Sequence, residues 1–290
     1  MAEARPNVHR RRFGAALRSL RLAAGLSLEE AADRLGVPGK PALSKIENGK
    51  QRVTGLGLTA FLKVYQVDDP DTVAKVKALG ALAASPKRTN LLDQYPGAFQ
   101  VAEFEDYLHL EGMACKAESY LHLVPGLLQT REYATSIVER SKIWRSHHEV
   151  RRFVDLRIAR QAALTREENP LSVWCILDES ALHRVVGGPD VMRAQLQRLL
   201  DVTEQHAQTV VQVLPFASGS HAAVDGAFQL MHFPAGPPVA VIEMMTSSVY
   251  LEEDEDVELY QDTLDTLRAE ALDVQASRRL IRKLIKDCYT

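Results

Sequence analysis

Long apolar runs are missing from this chain. No stretch approaches the ~18 uninterrupted apolar residues that a membrane-crossing helix needs. Cysteine is scarce. The 3 cysteines, Cys115, Cys175 and Cys288, stand far apart and make neither a CxxC zinc spacing nor an even disulfide set. A reduced, cytoplasmic protein is therefore expected. Glycine and proline, 16 and 13 of 290 residues, are too few for a collagen-like or low-complexity chain. The opening MAEARPNVHRRRF has no apolar core and no small-residue cleavage site, so it does not read as a secretory signal. No repeat of fixed period is visible. What is present is an ordinary globular composition, 46% apolar and 25% charged, long enough for one large or two modest domains.

The net charge of −3 conceals an asymmetry. Residues 1–90 hold 16 Lys and Arg against 8 Asp and Glu, a net +8. The remainder holds 19 against 30, a net −11. A basic head on an acidic body suggests a polyanion-binding module joined to something else.

The head reads as five short helices. Phe13, Leu17, Leu20 and Ala24 recur at helical spacing from Arg10 to Ala24, and Gly25 stops that helix. Ser27-Leu28-Glu29-Glu30 is a capping box that opens a second helix, which carries Leu28, Ala31, Ala32 and Leu35 and ends at Gly36. A third runs from about Lys40 to Glu47 with Pro41 in its first turn, Leu43 and Ile46 inward, and an Asn48-Gly49 stop. Leu58, Phe61, Leu62 and Tyr65 stripe a fourth, and Asp69-Pro70 opens a fifth. A short helix, a tight turn and a second short helix with a polar outer face is how a protein places a helix in the DNA major groove.

The strings Phe13-Gly14-x-x-Leu17-Arg18-x-Leu20-Arg21, Gly25-Leu26-Ser27, Glu30-x-Ala32-x-x-Leu35-Gly36-Val37 and Ser44-Lys45-Ile46-Glu47-Asn48-Gly49 resemble the Xre-type, phage-repressor-like helix-turn-helix family over residues 10–68. Two departures stand out. Leu28 replaces the glutamine common after the second helix cap, and the turn from Gly36 to Ser44 is one residue longer, with Pro38, Gly39 and Pro41 in it. The resemblance implies double-stranded DNA as partner. Lys40, Ala42, Ser44 and Lys45 would then face bases or phosphates, Asn48, Lys50 and Arg52 would hold the backbone, and the cap residue Ser27 belongs to the same DNA-binding set. Glu47 reads as structural, paired with a first-helix arginine such as Arg18. The His9-Arg10-Arg11-Arg12 run reads as either a phosphate-reaching arm or a solvated tail.

Beyond Ser85-Pro86-Lys87-Arg88-Thr89, read as a linker, the texture is mixed. An amphipathic helix is expected through EFEDYLHLEGMACKAESY, beginning with Val101, Phe104 and Leu108. A Thr130-capped helix follows, then a long helix opened by the Ser146–Glu149 capping box. Strands are expected at 171–177, 209–215, 228–233, 239–244 and 248–251, and helices at 190–206, 255–271 and 275–287. The fold class is therefore α+β: an all-α domain over 1–84 and a larger mixed domain over 85–290. VPGLLQTREYA, with the upstream LHLEGMACKAESY and the downstream LDESALHRVVGGPDVMRAQLQRLL and VVQVLPF, resembles the C-terminal domain of actinobacterial Xre-type regulators, which include the WhiJ-like and antitoxin-like proteins, over about 95–285. That resemblance implies a domain that senses a small-molecule signal or binds a small protein encoded nearby.

Catalysis is not expected. Asp178, Glu179, Ser180, His183 and His221 supply carboxylate, hydroxyl and imidazole, but a triad needs convergence in space, and Ser180 stands where a helix cap would. There is no GxSxG elbow. Gly187-Gly188-Pro189-Asp190 lacks the GK[ST] of a phosphate loop, and His147-His148 lacks metal-ligand partners. No cofactor or metal is called for. The expected function is a homodimeric, sequence-specific transcriptional regulator, with half-sites about 34 Å apart. The alternative is an antitoxin-like protein that mainly sequesters a small partner, with DNA binding as autoregulation.

Overall fold

A computed structural model describes residues 8–84, 94–95, 102–144, 146–245 and 247–289. The expected linker at Ser85–Thr89, and Val101, lie outside the described residues. Contacts divide the chain into two units. The first is Met1–Thr89 with Asp106–Met113 and Phe233–Pro238; the second is Asn90–Glu105, Ala114–His232 and Val239–Thr290.

The first unit contains α1 (Val8–Ala23), α2 (Leu28–Leu35), α3 (Gly39–Glu47), α4 (Gly55–Val64) and α5 (Pro70–Ala84). Local chemistry sets the ends. Ser27 and Glu30 form the reciprocal capping box of α2, and Gly36 closes that helix at φ +66°. Thr54 caps α4 by accepting from the Gly57 amide, and Asp69 holds the start of α5 by accepting from the Thr72 amide and hydroxyl. The apolar stripes meet in one core: Phe13 and Leu17 of α1, Ala31 and Ala32 of α2, Leu43 and Ile46 of α3, and Leu58, Phe61 and Leu62 of α4.

The second unit is built on a six-stranded sheet. Its strands are β1 (Lys116–Leu121), β2 (Ser172–Asp178), β3 (Thr209–Leu214), β4 (Phe228–His232), β5 (Val239–Glu243) and β6 (Ser248–Leu251), in the order β3-β2-β1-β4-β5-β6. β1, β2 and β3 run parallel, whereas β4, β5 and β6 are antiparallel to their neighbours. The parallel pairs need crossovers. α7 (Arg131–Arg140) and α8 (His147–Ala159) join β1 to β2, and α9 (Ser180–His183) and α10 (Pro189–Gln205) join β2 to β3. α11 (Asp254–Glu270) buries Val257, Leu264 and Leu267 on the sheet face of Tyr120, Ile176 and Leu230. α10 and α12 (Val274–Cys288) pack on each other and on β3. With α6 (Ala102–Met113), twelve α-helices and six strands among the described residues make the α+β fold expected from the sequence. No helix among them is long and apolar enough to cross a membrane.

One expectation is corrected. The helix expected through EFEDYLHLEGMACKAESY stops at Met113, and Lys116–Leu121 is the pivot strand β1. Paired on both edges, β1 buries Ala117, Glu118, Ser119 and Tyr120 in succession, so no period-2 alternation marks it. Its buried carboxylate is matched locally. Glu118 meets Lys116 Nζ at 2.6 Å, Arg268 Nη2 at 2.5 Å and His232 Nε2 at 2.7 Å. Burial alone would raise the Glu118 pKa, but His232 and Lys116 outweigh it and hold the carboxyl down at about 2.

Candidate nucleic-acid interface

α3 is entered through a tight turn. Gly39 adopts φ +74°, and its amide bonds to the Val37 carbonyl at 2.6 Å. Pro41 then fits the first turn, where a missing amide proton costs nothing. The helix buries Leu43, Ile46 and Glu47. Lys40, Pro41, Lys45 and Asn48 are exposed on the opposite side, and Ala42 and Ser44 are half-buried beside them.

Two close approaches lock α3 against α1. A Cβ on Gly14 would lie 2.3 Å from the Glu47 carbonyl oxygen, and one on Gly49 would lie 2.7 Å from the Arg10 carbonyl carbon. Gly49 also adopts φ +70°. The glycines of the Phe13-Gly14 and Asn48-Gly49 strings thus let the two backbones touch. Glu47 is structural, as expected, but its partner is Arg21 and not Arg18. Arg21 Nε and Nη2 donate to the two carboxylate oxygens at 2.7 and 3.1 Å. Facing this pair, the buried Tyr65 hydroxyl has its pKa raised by burial first and by the Glu47 charge second.

The remaining candidates are distributed around α3. Ser27 Oγ accepts from the Glu30 amide at 3.2 Å, so one of its lone pairs serves the α2 cap. Asn48 Nδ2 donates to the Ser44 carbonyl at 2.8 Å and to Ser44 Oγ at 3.2 Å, which joins those two side chains. Lys50 and Arg52 are exposed in the segment after α3, whose amides at Lys50 and Gln51 bond back to the Lys45 carbonyl.

The His9–Arg12 run is neither an arm nor a tail. Arg11 donates to Asp106 Oδ2 at 3.1 and 3.2 Å. Arg12 is fully buried, donates to the Pro237 carbonyl at 2.6 Å and lies 3.9 Å over the Phe233 ring. His9 Nε2 lies 3.2 Å from His109 Nδ1. Nothing in the local sequence signals these contacts, because their partners stand about a hundred and more than two hundred residues away.

In the second unit the structure brings Asp178, Ser180 and His221 together through Tyr120, whereas His183 turns to Glu179. His221 Nδ1 accepts from the Ala223 amide, so the neutral ring carries its proton on Nε2, facing the Tyr120 hydroxyl. Tyr120 in turn donates to Asp178, and so does Ser180. The serine bonds to a carboxylate and not to an imidazole, which differs from the nucleophile–base–carboxylate order of a hydrolytic triad. Among the described residues no group of three or more His, Cys, Asp or Glu could hold a metal ion.

Two known family models match separate stretches of the chain. A helix-turn-helix domain model matches residues 12–75, which makes DNA the partner of the first unit and regulation its setting. A model described as a domain of unknown function, DUF5753, matches residues 104–283. No curated protein matches the chain. No solved structure matches it either.

Proposed function

The chain belongs to the DUF5753 family, and from that premise we propose that it is a sequence-specific transcriptional regulator of the Xre type. It binds double-stranded DNA as a homodimer, with α3 in the major groove. The DUF5753 unit receives a partner or a signal that shifts DNA affinity through a two-state equilibrium. The observation that carries the reading is the solvent-open face of α3, with Lys40 and Lys45 exposed on a helix whose other side is locked to α1. The +8 charge of residues 1–90 supplies the attraction to phosphate. No catalytic step forms part of the reading.

Gel-shift titration against the region upstream of its own gene tests it. Lys40→Ala and Lys45→Ala should each weaken binding and reduce the slope of log affinity against log salt by about 1 where the lysine meets a phosphate. Unchanged affinity and salt slope in both variants would remove α3 from the interface.

A further inference from the structure

We propose that the cavity between α7, α8 and the β5–β6 turn binds a small, flat aromatic molecule bearing an acidic group. It lies wholly within the second unit and encloses about 340 Å³. That volume is at the lower end of the ~300–1,000 Å³ of small-molecule sites. A single turn of helix, with its side chains about 10–12 Å across, fills roughly 400 Å³ or more, so the space suits a compact ligand and not a docked helix.

The walls specify the ligand's chemistry. Trp144 and Phe153 have ring centroids 4.4 Å apart and planes tilted by 33°, and Phe104 continues the stack at 5.4 Å from Phe153. A flat π-system placed against such a stack gains offset or edge contacts beyond simple burial. Met244 and Met245, 53% and 75% exposed, also line the cavity. Flexible thioethers at an aromatic-lined opening can follow the outline of a flat guest. Two adjacent exposed methionines, continuous with an aromatic wall, are apolar surface that a ligand would cover.

The acidic group follows from Arg157. Its Nη1 donates to Gln129 Oε1 at 3.0 Å, and its guanidinium lies 5.1 Å over the Phe153 ring. Gln129 is itself held by donation to the Val124 carbonyl at 2.7 Å. The cation is therefore placed at the cavity wall by its own neighbours and can meet a carboxylate or sulfonate there. Among the described residues that line the cavity the other charge is Glu243, which is exposed, where water and salt screen it.

The proposal rests on reading this unit as the signal-receiving part, so ligand binding is measured apart from DNA binding. The probe is 1-anilinonaphthalene-8-sulfonate, an aromatic anion, compared with its uncharged analogue N-phenyl-1-naphthylamine. On the full chain the sulfonate dye should bind saturably at one site per protomer. Trp144→Ala should weaken both dyes at least about tenfold. Arg157→Met should weaken the sulfonate about tenfold and the neutral dye less than twofold. Met245→Glu alters only an exposed side chain, so it should leave the melting temperature unchanged and repel the anion more than the neutral dye.

Binding at many equivalent sites, or affinities indifferent to both Trp144→Ala and Met245→Glu, overturns the site. Equal losses of the two dyes in Arg157→Met overturn the acidic group. Dye binding that leaves DNA affinity unchanged supports the site and overturns its regulatory role. Loss of DNA binding in the α3 variants, with dye binding intact, bears only on the first unit.

Discussion

Arg21 and Glu47 form a two-pronged ion pair shut off from water, their side chains only 6% and 4% exposed. The third guanidinium nitrogen, Nη1, donates to the Leu26 carbonyl at 2.7 Å. One arginine thus ties the last turn of α3 to α1 and to the turn before α2. Breaking a buried pair on one side leaves a charge with no partner, which costs about 3–5 kcal/mol. Glu47→Gln and Arg21→Met should each lower stability by roughly that much in urea denaturation. The double change Arg21→Met/Glu47→Leu should cost less than either single one. A double variant as unstable as the sum of the two would show that the pair is not acting as a unit.

The contact between the backbones of α1 and α3 gives a second prediction. Gly14→Ala places a methyl 2.3 Å from the Glu47 carbonyl oxygen, with backbone on both sides and no side chain to move aside. Overpacking of this kind costs about 1–3 kcal/mol and should tilt α3. Gel-shift affinity should fall even though Gly14 is itself buried. Gly25 has open space at its Cβ position and φ +68°, so Gly25→Asn should change stability by less than about 1 kcal/mol. Thermal melts of the two variants, run side by side, separate contact from backbone conformation.

Ser44 and Asn48 should behave as one element of the proposed DNA-binding side of α3. The Asn48 amide holds both the backbone carbonyl and the hydroxyl of Ser44, so Asn48→Ala frees that hydroxyl, and Ser44→Ala leaves the amide on the carbonyl alone. A double-mutant cycle of Ser44→Ala and Asn48→Ala on DNA affinity should show a coupling of about 0.5 kcal/mol or more. Strict additivity would place the two on independent contacts.

Acid should act on the two units at different pH. Burial first, and the neighbouring His109 second, push the His9 pKa from 6.5 down to about 4, against the opposing pull of Asp106. The folded state therefore keeps this ring neutral. Stability tied to it is full above about pH 6.5 and drains away as the pH falls toward 4. Glu118 is depressed from 4.5 to about 2, so its contribution is full above about pH 4.5 and is lost as the pH falls toward 2. Each is worth on the order of 3 kcal/mol. Urea denaturation across pH 3–8 should show His9→Gln flattening the upper window and Glu118→Gln the lower one. An unchanged profile in both variants would locate the acid sensitivity elsewhere.

Much of the architecture was legible because its signals are local. The capping boxes at Ser27 and Ser146, the Thr130 cap and the Gly36 stop each involve residues within one helix and its ends, and all form as read. The run of apolar segments at 209–214, 228–232, 239–243 and 248–251 likewise became strands. The pivot strand β1 was not legible. Its Glu118 and Ser119 look solvent-bound until Lys116, Arg268 and His232 are brought to them.

The amino-acid sequence alone determined the helix-turn-helix head, its α+β companion and the exposed lysines of the third helix, because period, capping and charge act over a few residues. Only the tertiary structure decided that Arg21 and not Arg18 meets Glu47, that His9, Arg11 and Arg12 are buried, and that Phe104, Trp144, Phe153, Arg157 and Met245 line one cavity. Each of these depends on segments that lie far apart along the chain. Their meeting is set by how helices and strands pack, which no short window of residues encodes.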